Sequence, residues 1–147
     1  MEQRTIDADA AQERARVVTE AWEAAWDRGD LALLTDLLAE DYRRISANNA
    51  EGETREEFLA SIISTRAAFP DLTTVLDEVV VQDDTVAVRW HSTGTHTNSM
   101  LGVPPTNRTV TVSGATFAHF EGGRITTENV TWDPRALLAA LGIISVG

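Results

Sequence analysis

Between residues 11 and 26 apolar side chains return every three or four positions: Ala11, Ala15, Val18, Trp22, Ala25 and Trp26. That period draws one stripe along a helix whose other face is charged, so both tryptophans point inward. Asp9 with Gln12 three residues later fits a cap at its start, and Arg28-Gly29 ends it. Asp30 then reads as the N-cap of a second helix carrying Leu31, Leu34, Leu37 and Leu38 and running to about Tyr42. A polar stretch, 43–52, follows, in which Arg44, Ile45 and Ser46 fit a short strand. Thr54 and Glu57 form a capping box for a third helix with Phe58, Leu59, Ile62 and Ile63 on one face, closed by Phe69-Pro70.

From Leu72 the period drops to two, with Thr73, Val75, Asp77, Val79 and Val81 alternating against Leu72, Thr74, Leu76, Glu78 and Val80. Gln82-Asp83-Asp84 turns the chain into a long strand over about 85–97. A Gly102-Pro104-Pro105 loop leads to a second long strand over about 108–120. Glu121-Gly122-Gly123 then turns it into a last strand over 124–132. Short turns predict antiparallel pairing. Asp133-Pro134 starts a terminal helix through Leu137, Leu138 and Leu141, stopped at Gly142. The fold class expected is α+β: three N-terminal helices packed on a curved antiparallel sheet, with a short C-terminal helix. Such a sheet, with helices over its concave face, makes a cone whose open end suits a ligand.

Size and charge narrow the function. With 147 residues, 43% of them hydrophobic, the chain supports one domain over 1–147, with an ordered core over about 8–143. Twelve basic against 23 acidic side chains give a formal net charge of −11, which disfavours nucleic acid and anionic membrane surfaces as partners. The absence of cysteine removes disulfides, thiol catalysis and thiolate metal sites. Nothing in the N-terminal stretch looks like a signal peptide, so a cytoplasmic location is expected.

The order of elements carries several specific runs. They are Ala25-Trp26-Asp27-Arg28-Gly29-Asp30-Leu31, Phe69-Pro70-Asp71-Leu72, Val88-Arg89-Trp90, Gly94-Thr95-His96-Thr97, Leu101-Gly102-Val103-Pro104-Pro105-Thr106-Asn107-Arg108 and Gly123-Arg124-Ile125. Together they resemble the SnoaL-like polyketide cyclases of the nuclear transport factor 2-like (cystatin-like) superfamily, from about Ala15 to Gly142. The resemblance implies an enzyme without a cofactor, a lyase or isomerase acting on a hydrophobic, ring-containing substrate in an antibiotic-type pathway. It also implies a homodimer formed through the outer face of the sheet. In the ring-closing cyclases an aspartate on the last strand works with a histidine on the strand before it. Counted onto this chain, those positions fall on Val130 and Thr116, and an asparagine that some members carry just after Tyr42 gives way to Arg44. Relatives lacking the cyclase aspartate include hydroxylase-associated and epoxide-opening members, and the scaffold also serves for binding without catalysis.

Alternation then sketches the wall of the cone. Glu128, Val130 and Trp132 share one face of the last strand. Val112, Gly114, Thr116, Ala118 and Phe120 share the matching face of its neighbour, and Trp90 and Ser92 that of the next. Gly114, Thr116 and Ala118 are expected to leave space there. Trp22, Trp26, Trp90 and Trp132 converge on this concavity, either as core or as flat walls for a ring-bearing ligand. Glu128 is the expected general acid/base, because a carboxyl among tryptophans and small side chains loses solvation and its pKa rises. Arg44 either pairs with it or offers a cation to an oxygen atom. Tyr42 either donates to a carbonyl, as a tyrosine does in ketosteroid isomerase, or simply packs its ring. His96, beside the loop carrying Met100, Leu101 and Val103, is a candidate to protonate an oxygen or else fixes the strand end. The catalytic candidates are thus Glu128, Arg44 and His96. The substrate-binding set adds Trp22, Trp26, Tyr42, Trp90, Thr116, Val130, Trp132, Met100 and Leu101. His91 and His119 project away from His96 or outward, so no histidine metal site is expected. Ser61, Ser92 and Ser113 lack a nucleophile context.

Overall fold

A computed structural model describes residues 7–144; residues 1–6, part of the stretch read for a targeting segment, and 145–147 lie outside the description. Helix α1, Ala8–Arg28, is capped by Asp7, whose carboxylate accepts from the Ala10 amide at 2.8 Å, rather than by Asp9. It ends where Gly29 turns left-handed at φ 70°, as the Arg28-Gly29 pair predicts. Helix α2 is only Ala32–Leu37, and the chain then becomes strand β1, Leu38–Ser46. The expected helix to Tyr42 is therefore cut short. Pairing with β6, Arg124–Trp132, takes over the backbone hydrogen bonds and buries Leu38 and Tyr42 completely. Strand β2, Asn49–Thr54, begins in the polar stretch, where only 44–46 were expected to form a strand, and pairs antiparallel with β1.

Helix α3, Arg55–Ala68, carries the predicted capping box, with Thr54 and Glu57 bonded reciprocally at 3.1 and 2.9 Å. The meander follows as β3 (Thr73–Gln82), β4 (Thr85–Thr95), β5 (Thr109–Glu121) and β6, antiparallel throughout as the short turns require. An irregularity between Leu76 and Glu78 interrupts the even alternation expected along β3. Helix α4, Pro134–Ala140, is capped by Asp133 with proline in its first turn.

The six strands run in the order β2-β1-β6-β5-β4-β3. The sheet is mixed, because β1 and β6 are parallel. Helix α1 crosses β3 and α3 covers β1 and β2, so the helices cover the face that carries the tryptophans. Two apolar clusters result. The larger joins Val18, Trp22, Leu34, Tyr42, Phe58 and Ile62 to Val86, Val88 and Ala118; the smaller comprises Ala68, Phe69, Leu72, Val110 and Leu141. Trp26 packs against both.

Candidate functional site

Glu128 lies at the bottom of the larger cluster with no solvent exposure. Strand β6 places it inward by the parity expected, opposite Ala118 on β5 and Arg44 on β1. The shift from helix to strand after Leu37 brings Tyr42 to the same place, and its hydroxyl donates a short hydrogen bond to Glu128 Oε1. Oε2 has no partner. Burial pushes the carboxyl above the ordinary carboxylate range, against the opposing pull of the Tyr42 hydroxyl and the Arg44 charge. The Tyr42 phenol is pushed up as well, first by burial and then by the neighbouring carboxylate.

Arg44 does not form an ion pair with Glu128. Its Nη1 lies 3.5 Å from Glu53 Oε1 on β2, and its guanidinium stands 4.6 Å from the centre of the Phe58 ring. Its Nε is buried without a partner among the described residues. Phe58, delivered by the first turns of α3, is the platform of the site: Tyr42 stacks on it at 5.8 Å and Trp26 tilts against it at 6.3 Å. Neither Glu53 nor Phe58 figures among the residues expected to act. The signal for Phe58 was present, since the capping box fixes the helix start and with it the face that turns inward; the choice of Glu53 among many acids left no trace in the spacing.

Trp90 sits opposite Gly114, and its Nε1–H donates to Thr116 Oγ1 at 3.0 Å. A β-carbon on Gly114 would stand 2.6 Å from Trp90 Cζ2 and 2.6 Å from the Thr131 carbonyl oxygen. The space that Gly114 was expected to leave free is therefore filled by the indole. Val130 and Thr116 are buried side by side two residues along the strands from Glu128 and Ala118, Trp22 is core, and Trp132 is half-buried beside Gly114.

His96 is wholly buried but stands apart from this group, tilted against Phe69 with ring centres 5.4 Å apart. Among the described residues no hydrogen bond or ion pair joins it to Glu128, Tyr42 or Arg44. Met100 packs against the smaller cluster. Leu101, expected to line the pocket, does not: it is 97% exposed at the tip of a two-residue turn closed by the Met100 and Val103 backbones, with φ 49°. The turn aims it at solvent. His91 and His119 bond at or near the outer face, to Asp77 and to Thr85 and Asn129. Two surface grooves, of about 270 and 250 Å³, run beside α1 and α2 rather than over Glu128. Among the described residues no cluster of three or more potential ligands stands ready for a metal ion, and no helix is long and apolar enough to cross a membrane.

Solved structures share this architecture. AclR from Streptomyces galilaeus, named as a candidate hydroxylase, is 27% identical over 92% of this chain and 99% of its own, with a TM-score of 0.81. IdmH from Streptomyces antibioticus, named as a candidate polyketide cyclase, is 29% identical over 88% of this chain and 99% of its own, with a TM-score of 0.76. A protein from Catenulispora acidiphila with a ketosteroid isomerase-like fold, 24% identical over 87% of this chain and 93% of its own, matches at a TM-score of 0.66 and bears on the fold alone. No curated protein matches the chain. The sequence profile of the SnoaL-like polyketide cyclases matches residues 16–141, which takes in all four helices' packing partners, the whole sheet and the buried carboxyl. The chain belongs to the SnoaL-like polyketide cyclase family.

Proposed function

We propose that the protein catalyses cyclisation or isomerisation of a hydrophobic, ring-bearing ketone by proton transfer, with Glu128 as the acid/base. The observation that carries this reading is the state of its carboxyl: one oxygen held by Tyr42, the other buried and unpartnered among the described residues. Held in this way, Oε2 is the oxygen that exchanges the proton. As a carboxylate it takes a proton from the carbon next to a carbonyl; the carbonyl oxygen gains the charge and accepts from Arg44 Nε–H. For isomerisation the proton returns to another carbon of the enolate. For cyclisation the enolate carbon bonds to a second carbonyl carbon, and the new alkoxide takes the proton from Oε2. A raised pKa suits a group that must both accept and return a proton near neutrality.

Glu128 is closed to solvent, so a ligand enters by displacing side chains at the rim, where the half-buried Trp26 and Trp90 offer flat faces. The test is exchange of the α protons of β-tetralone in heavy water. Glu128→Gln is expected to slow exchange by about 100-fold or more while ketone binding stays within a few-fold; exchange at the wild-type rate overturns the assignment. Binding with no exchange in the wild type indicates a binding domain instead. Likeness to AclR favours a second reading, an oxygen-transfer role, distinguished by a reaction that stops when dioxygen is removed. The protein is expected to act in the cytoplasm as a homodimer joined through the outer sheet face, where Val75, Val80 and Phe117 are exposed.

A further inference from the structure

His96 presents a polar group that neither the fold nor the proposed proton transfer uses. Its backbone ties the end of β4 to the strand that returns: the amide donates to the Arg108 carbonyl at 3.0 Å and the carbonyl accepts from the Asn107 amide at 2.8 Å. Its ring nitrogen Nδ1 receives the Thr106 backbone N–H at 3.2 Å, with the Thr106 hydroxyl at 3.1 Å. A backbone N–H can only donate, so Nδ1 is an acceptor and the proton of the neutral ring sits on Nε2. That Nε2–H is buried, fully shielded from solvent, and without a partner among the described residues.

An unpartnered buried donor is costly, and the few that persist in a folded protein call for a reason. The surroundings limit what can supply the missing acceptor. Phe69 tilts against the ring, the adjoining cluster also holds Ala68, Leu72, Val110 and Leu141, and Trp26 links that cluster to the one holding Tyr42, the hydrogen-bond partner of Glu128. An anion would be poorly solvated there, whereas a neutral oxygen needs only the one donor. We propose that His96 Nε2–H is a ligand-binding donor, completed by a ketone, quinone or hydroxyl oxygen of a neutral ring-bearing ligand, and that it holds this oxygen while Glu128 works on the ligand elsewhere. His96 is then a fixed neutral donor, with Thr106 as the residue that sets its tautomer. The inference rests on reading this interior as a ligand chamber, but not on any proton transfer by Glu128.

Nitrogen-resolved NMR of the imidazole in the wild-type protein tests it without a variant. Titration with β-tetralone is expected to move the Nε2 signal of His96 and leave Nδ1 in its acceptor state, whereas tetralin, the same skeleton without oxygen, leaves Nε2 in place. Calorimetry on two variants supplies the second measurement. His96→Asn keeps an acceptor for the Thr106 amide but is too short to place its amide N–H at the Nε2 position, and is expected to lose about tenfold in β-tetralone affinity. His96→Gln keeps a donor near the Nε2 position and is expected to stay within about threefold of wild type. The idea is overturned if β-tetralone binds but leaves Nε2 unmoved, if tetralin moves it equally, if His96→Asn binds as wild type does, or if the wild type binds neither compound. Glu128→Gln separates the two readings: lost exchange with the His96 shift intact supports both, and unchanged exchange with that shift intact removes only the role of Glu128.

Discussion

The inner and outer faces of this sheet handle polar side chains in opposite ways. On the outer face Asp77 accepts from His91 at 2.8 Å and lies 3.9 Å from Arg89, which also meets Glu78 at 3.3 Å. Each of these groups keeps contact with water, and Asp77 and Arg89 have two partners apiece. On the inner face, among the described residues, Glu128 has one hydrogen-bond partner for two oxygens, Arg44 leaves its Nε unused, and the Thr116 hydroxyl accepts from Trp90. Folding stability does not require the inner arrangement, since buried and half-satisfied polar groups cost more than apolar ones of the same shape. What the inner face gains is a carboxyl in a medium that changes its proton affinity.

The sharpest way to break that contrast is to disturb the packing that shapes the inner face. Gly114→Ala places a β-carbon 2.6 Å from the Thr131 carbonyl oxygen and 2.9 Å from Trp132 Cβ, neither of which is a free side-chain end. It is expected to cost about 1–3 kcal/mol, read as a lower denaturation midpoint, together with loss of the Trp90 to Thr116 hydrogen bond. Next in size is Tyr42→Phe, which strips Glu128 Oε1 of its donor at a cost of about 1–3 kcal/mol when the carboxyl is ionised. Its effect on pH dependence has a definite sign. The carboxyl of Glu128 is raised in the folded state, so the native protein holds this proton more tightly than the unfolded chain does. Its contribution is therefore fully present below the ordinary carboxylate range and is lost as pH rises through the folded-state value. Because the Tyr42 hydroxyl pulls the carboxyl down, Tyr42→Phe shifts that loss to higher pH, and Glu128→Gln removes it; stability measured across acid to neutral pH checks both.

What the sequence made legible follows the range of the forces involved. Thr54 with Glu57 and Asp133 with Pro134 act within one helical turn, and both caps stand where the spacing puts them. Glu128 could be placed inward because a strand alternates strictly from Trp132 back along β6. Tyr42 could not be joined to it from the sequence. Leu31, Leu34, Leu37 and Leu38 continue a helical period, and only pairing with β6, more than eighty residues away, makes the chain extend after Leu37. Strand β2 carried no apolar alternation because it lies at the sheet edge, where Asn49, Ala50 and Glu51 meet water on both sides. Leu101 misled for the reverse reason: an apolar residue in a loop beside the pocket looks like a lid, but a two-residue turn with Leu101 and Gly102 both at positive φ puts its first residue at the tip.

The smallest expected effect tests the other side of the comparison. Asp77→Asn removes the charge that His91 and Arg89 share on the outer face. If that face meets water, the change costs less than about 1 kcal/mol, and added salt shrinks the difference further, because each partner remains hydrated and Arg89 still has Glu78. The inner-face variants, by contrast, keep their cost in salt. Measured at low protein concentration, a loss at Asp77 as large as that at Tyr42 would mean that the outer face is not solvent-exposed. The exposed Phe117 and Val75 lie on that same sheet, and a second copy seated there would desolvate Asp77 and its partners together. In that case the cost of Asp77→Asn rises with protein concentration as the copies associate, and the same variant that calibrates a hydrated ion pair reports whether the sheet face is covered.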